Sequence, residues 1–227
     1  MENPVGLAVL DLRMKRTQLE LVARFYPALE RLVFGARLDL ARNAFLIRII
    51  RAHHLLLVGE GNGRFLESVI GLKNSGSIKV VEKRSEMIRL ARRRLGVSRK
   101  VELQFIEADI RQSEPGREFD CVVTHFFLDQ FNPTSQLAIA ERFARLTSQN
   151  GTWINVDFRP ARTVGGNVLM WLQYTFFRLM WRIEAKQCFD EFPAAAGAGW
   201  VIEETIPFLG GLVLARRYQK RTFQGGE

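Results

Sequence analysis

The residues best placed to do chemistry in this chain are a run of glycines and the carboxylates that follow it. Leu55-Leu56-Leu57-Val58 leads directly into Gly59-Glu60-Gly61-Asn62-Gly63, and an amphipathic stretch comes next. A buried strand entering a glycine-rich turn and then a helix makes a corner that binds anions and nucleotides, because the missing side chains let a ligand reach the backbone. Glu82 ends the next apolar run, Ile78-Lys79-Val80-Val81, about twenty residues past the turn, where a carboxylate accepts both ribose hydroxyls of a bound nucleoside. Asp109, in Glu107-Ala108-Asp109-Ile110, ends a third run. An acid there accepts a hydrogen bond from an adenine amino group while Ile110 packs on the ring. Each carboxylate alone also reads as a solvent-exposed strand end or a helix cap; three matching tips in register favour a shared nucleoside site. The glycines read G-x-G-x-G, with Arg64 where a dinucleotide-binding turn carries its third glycine, which argues against a pyrophosphate ligand.

A second group lies further along. Thr124-His125-Phe126-Phe127-Leu128-Asp129-Gln130 follows a fourth apolar run and reaches the same open edge. His125 has the side-chain chemistry of a general base at neutral pH, and Asp129, four residues on, orients it if the segment turns helical. The alternative is a histidine that caps a strand end. Asp157 and Arg159, in Asn155-Val156-Asp157-Phe158-Arg159-Pro160, face the same crevice and are candidates for contact with a substrate, with Asp157 equally readable as a loop anchor. His53 and His54 precede the first strand, on the opposite edge, and read as structural. Cys121 and Cys188 sit in apolar surroundings and read as buried, reduced thiols; two cysteines make neither a disulfide framework nor a zinc site, and no metal is expected.

Positioning these residues requires alternating strands and helices. Leu19, Val22, Ala23 and Tyr26, then Leu38, Ala41, Phe45 and Ile49, fall at helical spacing and predict an N-terminal helical cap over residues 1–50. Strands follow at Leu55–Val58, Ile78–Glu82, Val101–Ile106, Phe119–Thr124 and Thr152–Asp157, with helices at Phe65–Leu72, Glu86–Leu95 and Gln136–Leu146. Short, fully apolar strands alternating with helices predict a parallel sheet covered on both faces. Trp200–Ile206 and Leu212–Arg216, separated by Pro207 and Gly210-Gly211, predict an antiparallel hairpin. The fold class is therefore α/β: a Rossmann-like seven-stranded sheet, five strands parallel, over 51–220, with 221–227 a loose tail. Between the fifth strand and the hairpin, 163–186 reads as a long helix with Met170, Trp171, Tyr174, Phe176, Phe177, Met180 and Trp181 on several faces, followed by a loop Phe192–Gly199. The insertion over 163–199 reads as a lid for a hydrophobic or amphiphilic substrate, or its helix as one buried in a homodimer interface or in the core.

Of 227 residues, 47% are hydrophobic and 25% charged, which fits a packed globular domain. The formal charge of +9 draws in nucleic acid, anionic lipid or acidic substrates without choosing among them, and its arginines are spread as on a solvated basic face. Glu2 stands where a secretion signal wants positive charge, and the longest charge-free run, Val164 to Phe177, is shorter than the roughly 20 residues of a membrane-spanning helix. A soluble cytoplasmic protein is expected, with peripheral contact to the anionic inner membrane face compatible with its charge.

In the order and spacing of these elements the chain resembles the class I S-adenosylmethionine-dependent methyltransferases over about residues 20 to 216. The matching pieces are Gly59–Gly63, Glu82, Asp109, the strand Phe119-Asp120-Cys121-Val122-Val123-Thr124, and Gln149-Asn150-Gly151-Thr152 leading into strand five. Ala23-Arg24-Phe25-Tyr26 with Gly35 and Ala41-Arg42 also looks like the N-terminal helices of the quinone- and phospholipid-methylating branch. The resemblance implies S-adenosylmethionine as cofactor, S-adenosylhomocysteine as product, and a lipid, quinone-like or aromatic acceptor. It implies cofactor contacts at Tyr26, Gly59, Glu60, Gly61, Gly63 and Glu82, and further contacts at Lys83, Met87, Asp109, Ile110 and Thr124. His125, Asp129 and Asp157 would act on the acceptor. A nucleic-acid acceptor is disfavoured, since strand four does not end in Asn/Asp-Pro-Pro-aromatic and no RNA-binding module is appended. The family often has an acid two residues before the first glycine, holding the methionine end of the cofactor; this chain has Leu57, so Glu60 or backbone carbonyls and water would take that role.

Overall fold

The computed structural model describes residues 36–95, 101–160, 184–185 and 187–221. Arg37–Glu227 forms one compact unit and Met1–Ala36 another, of which only Ala36 is among the described residues. Tyr26, the aromatic helix expected from residue 163 and the C-terminal tail thus lie outside the described residues, the helix save for its last few positions.

Seven strands form one sheet in the order β3-β2-β1-β4-β5-β7-β6. They are β1 (His54–Val58), β2 (Ser77–Glu82), β3 (Glu102–Glu107), β4 (Phe119–His125), β5 (Thr147–Phe158), β6 (Trp200–Phe208) and β7 (Val213–Lys220). The first five run parallel, and β7 is antiparallel to both β5 and β6. The expected hairpin thus closes the sheet with β7 inside and β6 at the edge. The strand order reverses between β1 and β4, and a sheet of this kind binds ligands outside the carboxyl ends of its strands at that point.

The strands are central because their side chains are apolar on both faces. Leu55, Leu56, Leu57 and Val58 are all buried, as are Cys121, Val122, Val123 and Thr124 on the neighbouring β4. Helices supply the covering layers. They are α1 (Arg37–Arg42), α2 (Leu46–Arg51), α3 (Arg64–Leu72), α4 (Ser85–Leu95), α5 (Pro133–Leu146) and α6 (Phe192–Gly197). α3 buries Phe65, Leu66 and Val69, and α4 buries Met87, Ile88 and Ala91 while Arg92, Arg93 and Arg94 stay in water. α5 starts where Pro133 fixes the first turn and Asn132 caps it, its side chain accepting from the Ser135 amide at 3.0 Å. Its inner face, Ile139, Ala140 and Phe143, meets Trp153, Trp200 and Tyr218. There Trp153 stacks on Tyr218 at 4.7 Å and meets Phe143 and Trp200 edge-on. These buried rings make the largest hydrophobic contribution on that side of the sheet.

Three expectations change. Leu38, Ala41, Phe45 and Ile49 are buried as their spacing predicts, but α1 and α2 belong to the same compact unit as the sheet, so the domain does not begin at residue 51. The loop expected at Phe192–Gly199 contains α6, since Pro193 starts a turn that Ala194-Ala195-Ala196 continues. Cys121 is buried, its thiol pushed up to about 12 by desolvation, whereas Cys188 is only partly buried.

Candidate functional site

The glycine turn is held by three separate requirements. Gly59, Gly61 and Gly63 all have left-handed backbone angles, at φ of +68°, +68° and +80°. A Cβ on Gly63 would sit 2.7 Å from the Cβ of Ala91, so this glycine lets α4 pack against the start of α3. A Cβ on Gly59 would fall 2.3 Å from the Phe127 ring, so Phe127 lies directly on the turn. Only Gly61 faces open space, and its amide donates to Glu82 Oε2 at 3.2 Å. The sequence reading assigned all three absent side chains to ligand approach; two of them serve packing as well.

A cavity of about 370 Å³ opens beside this turn at the carboxyl ends of β1, β2, β3 and β4. Its wall includes Gly59, the run Val81 to Glu86, the run Glu107 to Arg111, and Phe127, Gln130, Phe131 and Glu184. Glu82 is buried at the tip of β2, where its Oε1 accepts from the Arg84 amide at 2.9 Å and its Oε2 from Gly61. One carboxylate therefore ties the glycine turn to the β2–α4 connection on the cavity wall. Asp109 lines the cavity just past the end of β3, the strand paired with β2. Hydrogen bonds from the Arg111 guanidinium and amide, joined by Lys83, hold its carboxyl well below the usual carboxylate range. Ile110 is buried against the core and lines the cavity.

Several expected contacts fall elsewhere. Met87 is buried on the inner face of α4 and is absent from the cavity wall, which Ser85 and Glu86 occupy instead. Thr124 is fully buried on the α5 side, accepting from Trp153 Nε1 at 2.9 Å and donating to Asn155 Oδ1 at 2.7 Å, so it serves the core. Glu60 is engaged with α3: its Oε1 accepts from the Leu66 amide at 2.9 Å and caps the helix, a task that Gly63 cannot perform. Burial pushes the Glu60 carboxyl up to about 7. Arg64, which broke the dinucleotide pattern, pairs with Asp39 of α1 at 2.6 Å.

The residues expected to act on an acceptor are brought near one another but are differently engaged. His125 packs edge-on against Phe65 at 4.4 Å, and both ring nitrogens are buried without a hydrogen-bond partner even though part of the residue reaches the surface. Desolvation, aided by Arg42, pulls its pKa down to about 3, so it is neutral at pH 7 and far from the poise of a general base. Asp129 does not orient it. The segment does turn helical, as a single 3₁₀ turn over Leu128–Gln130, but this directs Asp129 to Asp157. Asp157 Oδ2 accepts from the amides of Leu128 at 2.8 Å and Asp129 at 3.2 Å, and the two carboxyls are hydrogen-bonded to each other. Burial and the neighbouring Asp129 and Glu191 charges raise the Asp157 pKa well above the ordinary value. The turn so fixed follows Phe126, a non-glycine residue held at φ +52°, and delivers Phe127, Gln130 and Phe131 to the cavity wall.

Arg84, Arg111, Phe127, Phe131 and Glu184 were not anticipated. Phe127 and Phe131 show helical spacing, and Arg111 stands two residues past Asp109; both patterns are common enough to carry no message alone. Glu184 adjoins the cavity only through tertiary packing. His53 and His54 lie at the far edge as expected, their amides donating to Asp120 at 2.8 and 2.9 Å.

The chain from residue 55 to residue 151 matches the family model described as a methyltransferase domain. The sheet order and the antiparallel closing hairpin agree with solved methyltransferase structures. The S-adenosylmethionine-dependent methyltransferase SibL superposes with a TM-score of 0.62 at 16% identity, covering 81% of this chain and 55% of its own. NodS, an N-methyltransferase from Bradyrhizobium japonicum WM9 solved with S-adenosyl-L-homocysteine, gives 0.61 at 14% identity over 82% of this chain and 88% of its own. The mitomycin 7-O-methyltransferase MmcR gives 0.62 at 16% identity, over 89% of this chain and 60% of its own. The chain thus spans little more than half of SibL and MmcR but most of NodS. No curated protein shows a significant sequence match. The cavity lies at the topological switch of the sheet, with Glu82 and Asp109 on its wall.

Proposed function

We propose that this chain transfers a methyl group from S-adenosylmethionine to a small hydrophobic or amphiphilic acceptor, leaving S-adenosylhomocysteine. The observation that carries this reading is a cavity at the switch point lined by buried Glu82 and by Asp109 at the tips of adjacent strands. The residues fit the adenosine half of that cofactor: Glu82 for the ribose hydroxyls, Asp109 for the exocyclic amine, and Ile110 with Phe131 as apolar walls. Bound there, the cofactor supplies an activated sulfonium methyl. The protein's task is then to align the acceptor and exclude water, and proximity alone contributes several kcal/mol to such a displacement. Phe127 on the glycine turn supplies an apolar wall at the point where an acceptor meets the cofactor cavity. Asp157 and Asp129 hold the turn that carries it. Both carboxyls are buried off the cavity wall, so holding that turn is the role proposed for them; His125, neutral and desolvated, is a weak base.

Support for a small acceptor comes from the solved neighbours, one an N-methyltransferase and one a mitomycin O-methyltransferase by name. Among the described residues no helix is long and apolar enough to cross a membrane, and the +9 charge supports peripheral contact with anionic lipid. A non-catalytic cofactor-binding protein is the second reading, favoured by Leu57 and by the engagement of Glu60 with α3. The test is calorimetry with S-adenosylmethionine, followed by labelled methyl transfer into a total lipid extract and into total RNA. Binding with lipid labelling is the expected outcome. Absence of binding overturns the proposal, labelling confined to RNA overturns the acceptor class, and binding without any transfer supports the second reading.

A further inference from the structure

Asp109 is saturated. Its Oδ1 accepts from the Arg111 amide and Nε, both at 3.0 Å, and its Oδ2 from Arg111 Nη2 at 2.7 Å and Lys83 Nζ at 3.3 Å. A carboxylate has about four lone-pair positions, so four donors leave none for a fifth. A nucleoside amine can reach Asp109 only if one donor withdraws.

The four are unequally held. Arg111 is fixed from three sides: the bidentate grip on Asp109, an ion pair from Nη1 to Glu184 Oε1 at 2.6 Å, and its guanidinium over the Phe131 ring at 5.2 Å. Glu184 is fixed in turn, its Oε2 accepting from Ser135 Oγ at 2.8 Å and Asn132 Nδ2 at 3.4 Å. Ala185 adds a backbone hydrogen bond to Gln130 at 2.9 Å. Lys83 has the longest contact, on a side chain that is 70% exposed, and an exposed lysine pair contributes little.

We propose that Arg111 is a positioning residue of the nucleoside site and that Lys83 is the displaceable occupant of the one acceptor position the ligand needs. Arg111 presents Asp109 Oδ2 to the cavity in a fixed orientation. The incoming amine takes the place of the Lys83 ammonium, and Glu184 keeps Arg111 from following the ligand. The site therefore selects bases that carry an exocyclic donor and rejects those with a carbonyl at that position. This rests on the S-adenosylmethionine reading above.

The experiment is calorimetry of the full chain with S-adenosylhomocysteine and with its inosyl analogue, in which a carbonyl replaces the amine. Wild type prefers the adenosyl ligand. Lys83→Ala tightens that ligand about threefold and keeps the preference, in proportion to a weak exposed pair. Arg111→Met weakens it about tenfold and removes the preference, because the carboxylate loses its charge-assisted anchor. Glu184→Gln weakens it about threefold with Asp109 and Arg111 both intact, and so decides the matter if Arg111→Met lowers the thermal midpoint. Tighter or unchanged binding by Arg111→Met at an unchanged midpoint overturns the proposal, as does weaker binding by Lys83→Ala. If wild type binds neither ligand, the cofactor reading itself fails.

Discussion

The two ends of this site are built in opposite ways. Around the glycine turn and the tips of β2 and β3, carboxylates stand on the wall of an open cavity and are oriented there by short-range donors. At the ends of β4 and β5, the carboxyls of Asp129 and Asp157 are buried against each other, and His125 is desolvated with its ring nitrogens unpartnered. The first arrangement is what a preformed binding site requires, since its acceptors are oriented before the ligand arrives. In the second, the polar groups answer to the protein: Asp157 satisfies two loop amides, and the loop in turn forms the cavity wall. The difference teaches that a titratable residue at a strand tip is a ligand-binding group only where its carboxylate borders open volume.

The comparison breaks most sharply at Glu82. Glu82→Ala removes the acceptor for both ribose hydroxyls and leaves the Gly61 and Arg84 amides without a partner. Two charge-assisted hydrogen bonds are worth about 4 kcal/mol together, so affinity for S-adenosylhomocysteine falls about a thousandfold by calorimetry. An unchanged affinity removes the cavity end of the comparison altogether.

The second break is at Asp157, and the contrast between two variants is the measurement. Asp157→Ala strands the buried amides of Leu128 and Asp129 and costs about 3 kcal/mol, seen as a lower thermal midpoint together with weaker cofactor binding as Phe127 and Phe131 lose their support. Asp157→Asn keeps an oxygen for both amides, needs no shared proton, and stays within about 1 kcal/mol of wild type. A loop holder predicts that the Asn variant retains turnover. If turnover vanishes in the Asn variant while its thermal midpoint and cofactor affinity hold, Asp157 takes a proton in the reaction, and the two ends are chemically alike after all.

How far the sequence reaches follows the same division. Strand positions, the sheet closure and the acids at the tips of β2 and β3 are legible because each follows from a local rule: apolar runs, helical spacing, and a carboxylate at a fixed distance beyond a glycine turn. Thr124, Met87 and Glu60 are misread for one shared reason. Their distance along the chain from the glycine turn is right, yet which side of a strand or helix they face depends on neighbours contributed from elsewhere. Trp153 claims Thr124, the core behind α4 claims Met87, and the start of α3 claims Glu60. His125 and Asp129 fail as a pair because spacing of four was read as helical contact, whereas the 3₁₀ turn hands Asp129 to β5. Arg111 and Glu184 escape notice because their partnership spans 73 residues.

The smallest effect concerns two partly buried, desolvated groups near Arg42 with opposite titration. Glu60 binds its proton more tightly folded than unfolded, with a pKa of about 7 against 4.5, so the stability it confers is complete below about pH 4.5 and is lost as pH rises through 7. His125 binds its proton less tightly folded, about 3 against 6.5, so its contribution is complete above about pH 6.5 and is lost as pH falls toward 3. In wild type the two slopes offset one another between about pH 4.5 and 6.5, giving a plateau that declines on both sides. Glu60→Gln keeps an oxygen for the Leu66 amide and removes only the first slope. The variant therefore gains about 2 kcal/mol relative to wild type between about pH 5.5 and 7.5, read from urea midpoints across that range. Parallel profiles for variant and wild type would show that the Glu60 carboxylate ionises freely, and that the glycine turn is as open to water behind its helix cap as it is on the cavity side.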